Sequence, residues 1–459
     1  MEVWPNLIEK ARQVEIEKIY RKGYPLCKQP SALMAGISHE IIEKEVISSA
    51  EILERIADGE SVDYDGVIIT GDLDLSNLNL RKGLRENHLL RRLPIIISTI
   101  RITNSQIDGQ LRLERSIFEE DIDFTGTEFR DQVSLSQSRL KGYVSFSESK
   151  FTEPADFSGC RFDEYADFSG SAFREDAYFL ETIFNEDINF RGSEFRRDVY
   201  YGGSIFKRYA DFSEISFNRY ASFRASQFDG YAYFSESHFS SDASFSATRF
   251  DSDASFMESK FEGDASFRGA EFKGYLSLMR SRFQEIADFS KSQFGREVYL
   301  TEIRLNSVKL DWNSIKDRMI CDGATYLLLI KIFKEQEQVK EADDCYYEYR
   351  DKSRLQKKWS DGSKYVDLMA CLTCGYGIRP IRTIYLSIAL IVVFGVILLL
   401  GDNGFSPPDA IYYSALAFVA DAKGPGLPGA YKYLFMMERL IGWLLMALFL
   451  VTLSRVMIR

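Results

Sequence analysis

Between residues 101 and 305 large apolar side chains return every eleven positions, at 102, 113, 124 and onward to 300, with another large apolar residue five positions after each. Nineteen such units follow one another, among them ADFSGCRFDEY, ADFSGSAFRED, INFRGSEFRRD and ASFSATRFDSD. The pairs Phe157/Phe162, Phe168/Phe173, Phe245/Phe250 and Phe267/Phe272 show the spacing, and a small residue usually stands two before each, as Ala155 before Phe157 and Ser171 before Phe173. Upstream, VDYDGVIITGDLDLSNLNL from Val62 alternates in short, strand-like segments. The basic insert RKGLRENHLLRR then interrupts; it reads as a surface excursion, with binding of anionic lipid or a partner as the weaker alternative. Residues 1–60 have helical character, and SHEIIEKEVISSAEILERIA predicts a helix from Ser38 to about Ala57, capped by Ser38 and ended by Asp58-Gly59, as an end-cover or oligomer contact.

A five- or six-residue unit makes one face of a square coil before the chain turns a corner. The central Phe or Leu points inward and stacks on its equivalent in the next coil, while the small residue two earlier faces in and leaves room for it. Polar Asp, Glu, Arg and Ser project outward as solvated face. Four units make a turn of about 22 residues, coils stack ~4.8 Å apart, and nineteen units over four faces predict close to five coils. The pattern resembles the pentapeptide-repeat family, in a variant where five- and six-residue units alternate. That resemblance implies a right-handed quadrilateral β-helix.

After Leu305 the repeat stops. ATYLLLIKIFKEQE, Ala324 to about Glu337, carries Tyr326, Leu327, Ile330 and Phe333 on one face, and Val339 to Lys357 places Ala342, Tyr346 and Tyr349 at helical spacing. An antiparallel hairpin is expected, joining the rod to the C-terminal segments and helping to pack subunits. Two apolar segments close the chain. Ile384 to Leu400 is seventeen residues without a charge, and Tyr433 to Val456 has an uncharged heart, LIGWLLMALFLVTL. Both are apolar on every face, which predicts helices across a ~30 Å hydrocarbon core. Between them Ser406 as N-cap, Pro407 in the first turn and Asp409 near the positive end of the dipole predict a helix to about Val419, long enough to reach roughly half-way through. Gly424, Pro425, Gly426, Pro428 and Gly429 then break it.

Helix, half-helix, irregular return and helix, over about residues 380–459, resemble the pore domain of two-transmembrane potassium-type channels, with Asp409-Ala410-Ile411-Tyr412-Tyr413-Ser414 at the start of a pore helix. The resemblance implies a homotetramer with a bilayer and inorganic ions as partners. It fails at the filter. Where that family runs into T-V-G-Y-G-D, this chain reads Val419, Ala420, Asp421, Ala422, Lys423, Gly424, Pro425, without the Gly-Tyr-Gly backbone whose carbonyls face the axis. Fourfold Asp421 favours cations and fourfold Lys423 opposes them, so the expected pore is cation-permeable and weakly selective. Gly442 stands where such channels keep a hinge glycine; a small residue for close helix contact is the equal alternative. Glu438-Arg439 predicts an intersubunit or pore-helix ion pair.

Composition narrows the remaining choices. The repeat region holds 36 Asp and Glu against 25 Lys and Arg, a net of −11 that equals the whole chain's. An interspersed acidic rod offers no basic face for phosphate, so no nucleic acid is expected as partner. Six cysteines are too sparse for a disulfide scaffold, and the charged opening MEVWPNLIEKARQVEIEKIYRKG is unlike a secretory leader. Basic residues before the first span, with Arg455 and Arg459 after the second, put both the N-terminal domain and the C-terminus on the cytoplasmic side of a cell membrane crossed twice. Gly375-Tyr376-Gly377 precedes the first span and reads as a turn, not a filter. Cys371-Leu-Thr-Cys374 lacks further ligands nearby, and reads as two buried thiols on an interfacial helix rather than a metal site. His39, His88 and His238 lie far apart, and no triad, phosphate loop or paired carboxylates appear. No enzyme, cofactor or metal is expected. The organisation predicted is a helical segment over 1–60, a pentapeptide-repeat β-helix over 61–305, a helical hairpin linker over 306–370 and a two-transmembrane pore domain with a re-entrant half-helix over 371–459. Two functions fit it: an ion channel whose rod serves assembly or gating through an unknown cytoplasmic ligand or protein, or a non-conducting membrane-anchored scaffold.

Overall fold

The computed structural model describes residues 44–78, 80, 82–84, 92–400, 406–419 and 430–457. It divides into two compact units, Met1–Asp322 and Gly323–Arg459.

The first unit is a parallel β-solenoid. Two-residue strands pair with strands 22 residues away, as Ile122 with Ile100 below and Val144 above, and Phe129 with Ile107 and Phe151. One face alone carries twelve strands among the described residues, from Val62–Asp65 to Met319–Ile320, and so counts the coils. The expectation of close to five coils is therefore corrected to about twelve. Each eleven-residue unit contains two inward positions and covers two faces, so two units, not four, complete a turn.

The 22-residue register puts like on like. Phe151 stacks on Phe173 at 4.4 Å and Phe206 on Phe228 at 4.4 Å, while neighbouring columns meet edge to face, as Phe212 with Phe223 at 5.3 Å. Each such pair adds about 0.5–1.5 kcal/mol to the burial of its rings. The small inward residues do more than leave room. Ser193 Oγ donates to Phe168 O at 2.7 Å, Ser226 to Tyr201 O at 2.7 Å and Ser292 to Phe267 O at 2.7 Å, tying each coil to the one before it. One residue per eleven takes a left-handed conformation at its turn, whether glycine (Gly203, φ 71°) or not (Ala225, φ 56°; Glu236, φ 59°). At one set of corners an aspartate accepts from the backbone N–H one coil later, as Asp187 from Tyr209 and Asp253 from Tyr275.

Both ends of the column are closed. Helix α1, Ser49–Asp58, sets Ile52 and Ile56 over Leu73, Leu75 and Leu111. It starts with Ser48 as cap, not Ser38, because Val46–Ser48 is a strand paired with Ile68–Thr70; Gly59 (φ 77°) ends it as expected, and the first part of the helix expected from Ser38, through residue 43, lies outside the described residues. The solenoid thus begins within the segment assigned to helices over 1–60. At the far end α2, Trp312–Ile315, buries Trp312 and Ile315, and Met319–Ile320 adds a last strand. The boundary expected at 305 is corrected accordingly, since residues 306–322 complete the column. Lys82–Leu84 in the basic insert pairs antiparallel with Arg92–Ile96 at its end; residues 85–91 lie outside the described residues.

The second unit is helical: α3 Gly323–Glu335, α4 Val339–Gln356, α5 Gly362–Cys374, α6 Pro380–Leu400, α7 Pro407–Val419 and α8 Ala430–Met457. The short connection between α3 and α4 makes the expected hairpin, and Phe333, Ala342 and Cys345 are buried. This hairpin belongs to the same compact unit as the C-terminal helices rather than to a separate linker.

Candidate functional site

Helices α6 and α8 are long and apolar enough to cross a membrane, over Pro380–Leu400 and Lys432–Met457. Only 22% and 17% of their most apolar windows are buried, where the core helix of a water-soluble domain would be mostly covered. Between them in sequence, α7 buries Ala410, Ser414, Ala417 and Phe418, a single helical stripe. Its start matches the sequence signals: Asp409 N donates to Ser406 Oγ at 3.4 Å, and the Ser406 hydroxyl turns to the Asp409 carboxylate.

Small residues and one hydroxyl fix α7 against both neighbours. A Cβ at Gly395 of α6 would meet Ile411 Cα at 3.4 Å, and one at Gly442 of α8 would come within 2.3 Å of Phe418 O. Ser414 Oγ lies 2.9 Å from Ile391 O of α6 and also hydrogen-bonds Glu438 of α8, which is buried at 2% exposure. Within the chain, the α7 partner of Glu438 is therefore the Ser414 hydroxyl. Sequence reading singled out Glu438 but not Ser414, although a lone carboxylate in an apolar run always needs a polar partner.

Among the sequence-selected pore residues, Val419 is the exposed last residue of α7, while Ala420, Asp421, Ala422, Lys423 and Gly424 lie outside the described residues. Gly442 is brought against the last turn of α7, so close helix contact is one role it holds. Gly375-Tyr376-Gly377 forms the turn between α5 and α6, with φ of 56°, 59° and 84°. Cys371 and Cys374 are buried free thiols, and among the described residues no three His, Cys, Asp or Glu side chains group as metal ligands.

Where α4, α5 and the start of α6 converge, a polar network replaces apolar packing. Arg382 donates to Tyr347 Oη and Cys371 O, both at 3.1 Å, while Arg379 stacks over the Tyr347 ring at 4.1 Å. Arg354 bridges Asp351 and Tyr376 Oη, the latter at 3.1 Å. Burial pushes the Tyr376 phenol up to about 12, beyond what the Arg354 hydrogen bond offsets. Burial alone would raise Asp367, but hydrogen bonds from Lys357 and from Arg350 at 2.7 Å outweigh it and hold the carboxyl below its usual range. These contacts join three helices of one unit through side chains 10 to 35 residues apart, a grouping that helical periodicity does not reveal.

Comparison with known families adds one match. Residues 135–183, 168–216 and 223–271 match the family described as Pentapeptide repeats, in nine copies. The solenoid is a pentapeptide-repeat domain. No curated protein and no solved structure matches the chain. The pentapeptide-repeat match covers the middle of the aromatic column, from 135 to 216 and from 223 to 271, and none of the helices from α3 onward.

Proposed function

We propose that the chain is a multi-pass membrane protein whose helical unit assembles as a homotetramer around an ion-conducting pore, with the pentapeptide-repeat domain on the cytoplasmic side for assembly or gating. The observation that carries this reading is α7: thirteen residues, too short to cross a bilayer, held between two long apolar helices by Ser414, Gly395 and Gly442. A plain anchor has no use for such a half-helix. A half-helix pointing its partly negative C-terminal end at an axis, with Asp421 following it, favours cations, and the lack of a Gly-Tyr-Gly backbone there argues for weak selectivity. Purified full-length protein in bilayers tests the proposal through its reversal potentials in asymmetric salt. A cation current with little discrimination is expected; a chloride-selective current overturns the cation assignment. A detergent particle with the mass of a monomer, together with absent flux, removes the pore and leaves a membrane-anchored scaffold.

A further inference from the structure

Helix α5 carries its polarity inside out. Lys364 and Asp367 are buried at 6% exposure each, together with Cys371 and Cys374, on the side that receives Arg350 and Lys357. The opposite face presents Tyr365, Val366, Met369 and Leu372 at 53%, 68%, 60% and 60% exposure. A helix bathed in water arranges these residue types the other way round, since each exposed aliphatic side chain forgoes about 1.5–3 kcal/mol of burial. The stripe does not stop at the helix ends. Trp359, 63% exposed, has its ring 6.1 Å from that of Tyr365, and beyond the C-terminal end Ile381, Ile384 and Tyr385 at the start of α6 are exposed as well.

We infer that α5 is a bilayer-surface element, lying along the membrane interface with the stripe from Trp359 to Ile381 set into the boundary between headgroups and acyl chains. At thirteen residues, with Lys364 and Asp367 in its first two turns, it is too short and too charged to span. Within nine residues of Leu372 the chain enters the helix proposed to span, whose first turns also expose apolar side chains, and this names lipid as the occupant rather than a separate protein groove. Trp359 and Tyr365 are the residue types that favour this depth. The ties of Asp367 to Arg350 and Lys357 fix the rotation of α5 about its axis, so that the stripe cannot turn inward.

The inference rests on the membrane reading, and the test separates the two through a second tryptophan. Full-length protein is placed in phosphatidylcholine vesicles carrying bromines either shallow or deep in the acyl chains. The fluorescence lost on Trp359→Phe isolates Trp359; that lost on Trp443→Phe isolates an exposed residue of α8. The Trp359 component is expected to be blue-shifted and quenched at least about twofold more by shallow than by deep bromines, matching insertion of about 5–10 Å. Met369→Trp in the Trp359→Phe background is expected to behave alike, moving the reporter to mid-stripe. A Trp359 component quenched by aqueous iodide and indifferent to bromolipid overturns the inference. So does one shielded from both, which assigns the stripe to a second copy or another protein. If Trp443 also escapes bromolipid, the membrane reading fails and the inference falls with it; if Trp443 alone is quenched, only the inference falls.

Discussion

Replacing Tyr201 by phenylalanine is expected to stabilise the solenoid. Tyr201 occupies a position that is Phe179 one coil below and Phe223 one coil above, with rings 4.8 and 4.7 Å away and nearly parallel. Edge contacts to Phe190 at 5.5 Å and Phe212 at 5.4 Å complete its shell. The side chain is 0% exposed, and its hydroxyl reaches no hydrogen-bond partner among the described residues. A buried, unsatisfied hydroxyl costs about 1–3 kcal/mol, and Tyr201→Phe deletes it while keeping every ring contact. At roughly 2–4 °C per kcal/mol for a domain of this order of size, the melting temperature of the β-signal in circular dichroism should rise by about 2–12 °C for full-length protein in detergent. Phe223→Tyr, adding the same hydroxyl to the next coil, should lower it by a similar amount. An unchanged or lowered melting temperature for Tyr201→Phe would refute the reasoning, because it would mean that the hydroxyl is satisfied by water held inside the column.

Ala225→Gly should raise stability by up to about 1 kcal/mol, since Ala225 holds φ at 56° where Gly203 holds the same turn position at 71° without a Cβ; a loss in thermal melts would count against it. Burial alone would raise Asp163, but hydrogen bonds from Arg139 and Arg161 hold its carboxyl below the usual range. A lowered folded-state value means that its stabilisation is complete above the unfolded value near pH 4 and is lost as pH falls through the folded one. Asp163→Asn should therefore lower stability at pH 7 and flatten the acid limb of a stability–pH profile; a parallel shift at every pH would refute this. Gly442→Ala should cost the helical unit about 1–3 kcal/mol, because its Cβ would come within 2.3 Å of Phe418 O and push α8 from α7; melting of the helical signal without any shift would contradict that contact. If Gly442 also serves as a hinge, single-channel open probability should change at constant conductance.

The period of eleven determined the aromatic column by itself, because a coil that repeats its backbone every 22 residues places residue i beneath residue i+22 whatever surrounds it. Phe151 over Phe173 and Phe228 over Phe250 are consequences of spacing alone. The start of α7 was equally legible, since Ser406, Pro407 and Asp409 act within one turn. Local signals failed where a strand partner decided the outcome: Val46–Ser48 reads as helix in isolation, yet pairing with Ile68–Thr70 makes it a strand and moves the cap to Ser48. The meeting of Ser414 with Glu438, the clasp of Asp367 by Arg350 and Lys357, and the outward stripe of α5 came only from the tertiary structure. Each depends on the rotation of one helix about its axis against another, and that is set by packing between helices rather than by the residues of either one.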